Sequence, residues 1–193
     1  MTRKTIQVLF SSLCPLLLLS VLWMFIRDGD ESNLERAKTA AKRGDAAAEY
    51  FLGSAYFQGK GVAQDYGKAA ELFRRAAEQG NARAQNDLGV MFESGLGVQQ
   101  NLTEAFNWFS RSAEQGDANG QCNLGRIYTS GSGVEMDLAK AYQWLSLSAA
   151  QGEATARTLL AATEPAMTHR ELAEGQQLVA GYQSRARKIA EAN

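Results

Sequence analysis

Gly44, Gly80, Gly116 and Gly152 stand 36 residues apart, and the residues between them recur in the same order. A period of that length marks a stack of small units, each too short to bury an apolar face alone and each completed by its neighbours. It directs attention to the extended surface that such a stack presents, and so to binding in place of chemistry.

Aligned on the period, three full units run 45–80, 81–116 and 117–152, with a half unit on each side. Each opens on Asp45, Asn81 or Asp117, directly after the glycine that ends the helix before it. That order predicts a tight corner: the glycine takes the left-handed conformation at a helix C-terminus, and the next side chain accepts from the orphan amides of a new helix. Within the first helix of each unit, Leu52-Gly53, Leu88-Gly89 and Leu124-Gly125 precede Tyr56, Phe92 and Tyr128. Leucine and aromatic lie four apart on one face, and the glycine between them permits a neighbouring helix to approach.

Gly59-Lys60-Gly61-Val62, Gly95-Leu96-Gly97-Val98 and Gly131-Ser132-Gly133-Val134 then stop the helix, with the valine as a plug of the core. Asp65, Asn101 and Asp137 cap a second helix, Glu104 standing at capping-box spacing from Asn101. Asn101-Leu102-Thr103 also matches a glycosylation acceptor, but the register makes Asn101 a cap. The second helix carries Leu72, Trp108 and Trp144 at one position, Phe73, Phe109 and Leu145 at the next, and Ala77, Ala113 and Ala149 at a third. Large against small is how stacked helices interdigitate.

The repeats extend over 33–163. At their start, Ser32-x-x-Glu35 reads as a capping box for a half unit ending at Gly44; at their end, Glu153 opens a fourth unit with Leu159-Leu160 that loses its glycine loop before Pro165. In 164–193, Thr168-x-x-Glu171 opens a final helix carrying Leu172, Val179, Tyr182 and Ile189, which is expected to close the exposed end of the stack. Gly175 and Gly181 weaken that helix by about 1 kcal/mol each relative to alanine.

Chemistry finds little footing. The paired glycines follow helices, not strands, and none continues as a phosphate-cradling Gly-x-Gly-x-x-Gly or Gly-Lys-Ser/Thr. There is no Ser-x-x-Lys, His-Glu-x-x-His or Cys-x-x-Cys, and the one histidine, His169, falls in the first turn of the final helix. No catalytic residue, metal site or cofactor is assigned. From Asp28 onward 17 basic residues face 21 acidic ones, which argues against a nucleic-acid partner.

Ile6 to Ile26 is a run of 21 uncharged residues that includes Leu16-Leu17-Leu18-Leu19, long enough to span a bilayer. It exceeds the ordinary core of a signal peptide, and Arg27-Asp28-Gly29-Asp30-Glu31 offers no small-residue cleavage site. Leu13 before Cys14 argues against lipidation. With Arg3 and Lys4 held inside, the expectation is a single-pass anchor: a cytoplasmic tip at 1–5, a membrane helix at 6–26, a linker at 27–32 that keeps the domain near the bilayer, and a domain outside the cell membrane in the periplasm. Secretion after signal cleavage is the alternative.

The runs Ala46-x-Ala48, Leu52-Gly53-x-x-Tyr56, Gly59-x-Gly61-Val62-x-x-Asp65 and Lys140-Ala141-x-x-Trp144 resemble the Sel1-like repeat family, a branch of the tetratricopeptide-type helical repeats. The resemblance implies an all-α, right-handed α-solenoid whose first helices line a concave groove used to hold a protein or peptide partner. Counted in the manner of such repeats, the groove positions are Tyr50, Ser54 and Phe57, then Arg83, Asn86, Val90 and Glu93, then Asn119, Cys122, Arg126 and Thr129. They vary between units more than the packing positions do, and Tyr50, Phe57 and Val90 read as exposed apolar groups suited to a peptide. The implied role is a membrane-anchored adaptor or scaffold of a bacterial envelope, the alternative an obligate structural subunit of an envelope complex. Some cysteine-rich relatives are discussed as lactam-binding or lactam-hydrolysing enzymes; their cysteine pairs are missing here, where Cys122 stands alone in the domain.

Overall fold

The computed structural model describes residues 33–192. The expected tip, anchor and linker, with the Ser32 cap, lie outside the described residues. Among the described residues no helix is long and apolar enough to cross a membrane.

Every regular element described is helical. After the described part of α1 (33–41) come α2 (Ala46–Gln58), α3 (Tyr66–Glu78), α4 (Ala82–Ser94), α5 (Leu102–Glu114), α6 (Ala118–Ser130), α7 (Leu138–Ala150) and α8 (Ala154–Thr163). A 3₁₀ turn (Glu164–Ala166) leads to α9 (His169–Ala192). From α2 to α8 consecutive helices pack on one another, and α4, α6 and α8 also touch in succession. This is a stack of helix pairs.

The six predicted caps are made. Asp45, Asn81 and Asp117 accept from the amides of Ala48, Ala84 and Gly120 at 2.9, 3.0 and 2.8 Å. Asp65, Asn101 and Asp137 accept from Lys68, Glu104 and Lys140 at 3.0, 3.1 and 2.9 Å. Each is worth about 1 kcal/mol, so together they fix where every repeat helix begins. Glu104 does not complete a capping box: the Asn101 amide donates to Phe92 O at 2.9 Å, as the amides of Asp65 and Asp137 donate to Tyr56 O and Tyr128 O. The glycine loop thereby folds back onto its own first helix.

The Leu-Gly pair acquires its reason in the core. A Cβ on Gly53, Gly89 or Gly125 would lie 2.8, 2.7 and 2.7 Å from the side chains of Phe73, Phe109 and Leu145. Those large residues, at most 1% exposed, therefore sit directly on the missing side chain of the partner helix. Burying a phenylalanine contributes roughly 2–3 kcal/mol, and the contact sets how closely the two helices of a pair approach. Val62, Val98 and Val134 are half-buried against the core, as their plug position predicts.

Within each helix pair, from the first helix to the end of the second, runs a polar rung that the sequence reading did not pick out. Gln79 donates to Glu49 Oε2 at 2.7 Å, Gln115 to Gln85 Oε1 at 2.6 Å and Gln151 to Gln121 Oε1 at 2.9 Å, each across 30 residues. Ser112 and Ser148 add hydroxyl bonds to Ala82 O and Ala118 O at 2.8 and 2.7 Å.

At the C-terminus, Thr168 and Glu171 form the complete box: the Thr168 amide donates to Glu171 Oε2 at 2.7 Å and the Glu171 amide to Thr168 Oγ1 at 3.2 Å. The final helix, α9, packs on α7, with Trp144 and Tyr182 edge to face at 5.5 Å and the Tyr182 hydroxyl donating to Ala113 O and Glu114 O at 3.3 Å. Gly175 is the point of closest approach, since a Cβ there would meet Tyr142 Cδ1 at 2.8 Å and Ala139 O at 3.0 Å. Its cost in helix propensity is thus offset by docking. Ile189, expected on the packed face, is 65% exposed.

Candidate functional site

Nine of the eleven groove positions fall into three groups. Tyr50, Ser54 and Phe57 on α2 and Val90 on α4 meet around a hollow of about 230 Å³, floored by Phe73 of α3. Tyr50, Arg83, Asn86 and Asn119 line a second, polar hollow of about 500 Å³ that reaches the N-terminus of α6 and Gln151. Glu93 and Arg126 are ion-paired across the repeat boundary at 2.7 Å.

Tyr50, Phe57 and Val90 are half-buried, not freely exposed as the sequence suggested, because they lean on the core. The Tyr50 and Phe57 rings stand 5.7 and 6.3 Å from Phe73, and Phe57 meets Tyr66 edge to face at 5.3 Å. Ser54 and Thr129 spend their hydroxyls on their own helices, donating to Tyr50 O and Gly125 O at 3.0 Å. Cys122 is a core residue: it packs with Leu145 and Ala156, the fourth unit covering it, and burial pushes its thiol up. Asn86, 7% exposed, donates to Asp87 Oδ1 at 3.1 Å and accepts from Asn123 at 2.9 Å, so it works as a bridge between two repeats.

Asp87 is among the lining residues that groove counting missed. It lines both hollows and forms their common wall with Tyr50. Burial holds its carboxyl above the usual carboxylate range, against the opposing pull of the Asn86 and Tyr50 side chains; Asp117 adds to the rise and Arg83 subtracts from it. Burial likewise raises the Tyr50 phenol, helped by Asp87. The available signal was the register 51, 87, 123, which holds Phe51, Asp87 and Asn123 and changes chemical class at every unit.

A carboxyl whose folded value is raised binds its proton more tightly in the folded state, so its contribution to stability is full in acid and is lost as pH rises through the folded value. Asp87→Asn keeps the acceptor for Asn86. It is expected to raise Tm at neutral pH and to change it little below the ordinary carboxylate range, measured by thermal scans of variant and parent. An unchanged or lower Tm at neutral pH would contradict the strained carboxylate.

Three matches to the Sel1 repeat model cover residues 46–81, 82–117 and 118–153. Among solved structures, a Sel1 repeat protein from Oxalobacter formigenes is 34% identical over 68% of this chain and 54% of its own, with a TM-score of 0.62. A protective antigen present in uropathogenic Escherichia coli strains, displaying an SLR fold, is 27% identical over 77% of this chain and 40% of its own, with a TM-score of 0.60. This chain therefore spans about half the length of the first and less of the second. No curated protein matches it.

Proposed function

Because the chain belongs to the Sel1 repeat family, whose members generally mediate protein–protein interactions, we propose that it is a membrane-anchored adaptor of a bacterial envelope that holds a protein or peptide along the α2–α4–α6 groove. The observation that carries the reading is the pair of adjoining hollows on successive first helices. They are built from side chains that differ from unit to unit, while the packing positions beneath them repeat. An enzymatic role has no support in the motifs, and the family is typically a non-enzymatic scaffold. The anchor rests on the uncharged run 6–26 and the short linker behind it, and the periplasmic side on Arg3 and Lys4.

Arg83 and Asn119 are exposed, so Arg83→Glu with Asn119→Arg changes the groove without touching the core. Detergent extraction of the full-length protein from its native membranes, then crosslinking and mass spectrometry, is expected to recover partner proteins that this double variant loses at unchanged Tm. Equal recovery by the variant would overturn the groove reading. Recovery of the parent in the soluble fraction would overturn the anchor.

A further inference from the structure

The hollow between Tyr50, Phe57 and Val90 is apolar on most sides but has the Asp87 carboxyl in its wall. A purely apolar plug would strip water from that carboxyl and give nothing back, and an acidic group would be repelled by it. Asp87 is hydrogen-bonded by Asn86 and Tyr50 and still retains acceptor capacity, since a carboxylate offers about four lone-pair sites. A metal ion lacks a ligand set: among the described residues no group of three His, Cys, Asp or Glu comes together.

A lysine or arginine side chain satisfies both halves of this environment. Its methylene stem suits the apolar walls, its charged head suits the carboxylate, and the Tyr50 ring adds a face on which a guanidinium stacks. Resting on the groove-binding reading above, we infer that the Tyr50–Asp87–Val90 hollow is the specificity pocket for one basic side chain of an extended peptide. The neighbouring polar hollow continues the track: Asn119 and the exposed Arg83 stand where the peptide's main-chain carbonyls pass, and Arg83 bars a second basic residue at that end. Glu93 and Arg126 neutralise each other farther along and add no net charge.

The test pans a random nine-residue peptide library on the full-length protein in detergent micelles. Peptides that compete with one another and are lost by the Arg83→Glu/Asn119→Arg variant should share one arginine or lysine. Replacing that arginine by citrulline, which keeps the shape and removes the charge, should weaken binding about tenfold or more, and Asp87→Asn should erase the difference between the two peptides. Groove-dependent peptides without a basic residue, or equal binding of arginine and citrulline forms, overturn the pocket and leave the groove standing. Selection of no groove-dependent peptide overturns both.

Discussion

Gly97→Ala is expected to cost at least about 3 kcal/mol and to divide the unfolding of the domain into two steps. Gly97 has φ +70°, which an alanine adopts only with strain, but its surroundings matter more. A Cβ there would fall on the carbonyl of Tyr66 and 2.8 Å from the amide nitrogen of Gly67, both backbone atoms at the start of α3. Backbone held inside a capped helix has nowhere to go, so the loop of the second unit must lift off the first. Solenoid stability is largely a sum of unit and interface terms, and the lost interface lies between those two units. Gly80→Ala is the control: φ is +90°, yet no atom lies within 4 Å, so only the conformational penalty of about 1–2 kcal/mol applies. Urea titrations followed by circular dichroism separate the cases; equal losses for the two variants would show that the close stacking of loop on helix is not what Gly97 provides.

Gly97 also shows how far the sequence could be read. The period, caps, Leu-Gly pairs and valine plugs are local rules repeated three times, and repetition separates them from chance. Gly97 was legible as a turn residue, but its contact with Tyr66 is set by the stacking of units, which no local rule encodes. The polar ladder stayed hidden for a related reason: glutamines at 49-type and 79-type positions resemble a solvated face until the two helices of a pair close over them. Cys122 was counted into the groove because its register matches Tyr50 and Asn86, and only the packing of α8 turns that position inward. The helix on which α9 packs was not legible either, because an amphipathic pattern states that a face is buried, not against which helix. Of the residues that line the two hollows, counting picked out Tyr50, Ser54, Phe57, Arg83, Asn86, Val90 and Asn119. It missed Asp87, one residue from Asn86, since a lone acid on a helix is ordinarily solvated.

The ladder itself leads to the second large effect. Gln85 and Gln121 are neutral, but the first unit places Glu49 at the same rung with its side chain 1% exposed. Its two oxygens are met by Arg75, through an ion pair at Oε1, and by Gln79 at 2.7 Å. Arg75 also donates to Ala41 O at 3.0 Å, tying the half unit to the first full one. Arg75→Ala leaves a buried carboxylate without its counter-charge and is expected to cost about 3 kcal/mol, the low end for a broken buried pair because Arg75 is itself 45% exposed. Glu49→Gln restores the residue that the other rungs use and is expected to be nearly neutral alone. In the Arg75→Ala background it should recover most of the loss, giving a large coupling energy in a double-mutant cycle from urea midpoints. If the double variant is as unstable as Arg75→Ala, the arginine acts through Ala41 and its own packing. Recovery instead means that the ion pair stabilises little beyond a neutral rung, and that Arg75 is required because Glu49 is charged.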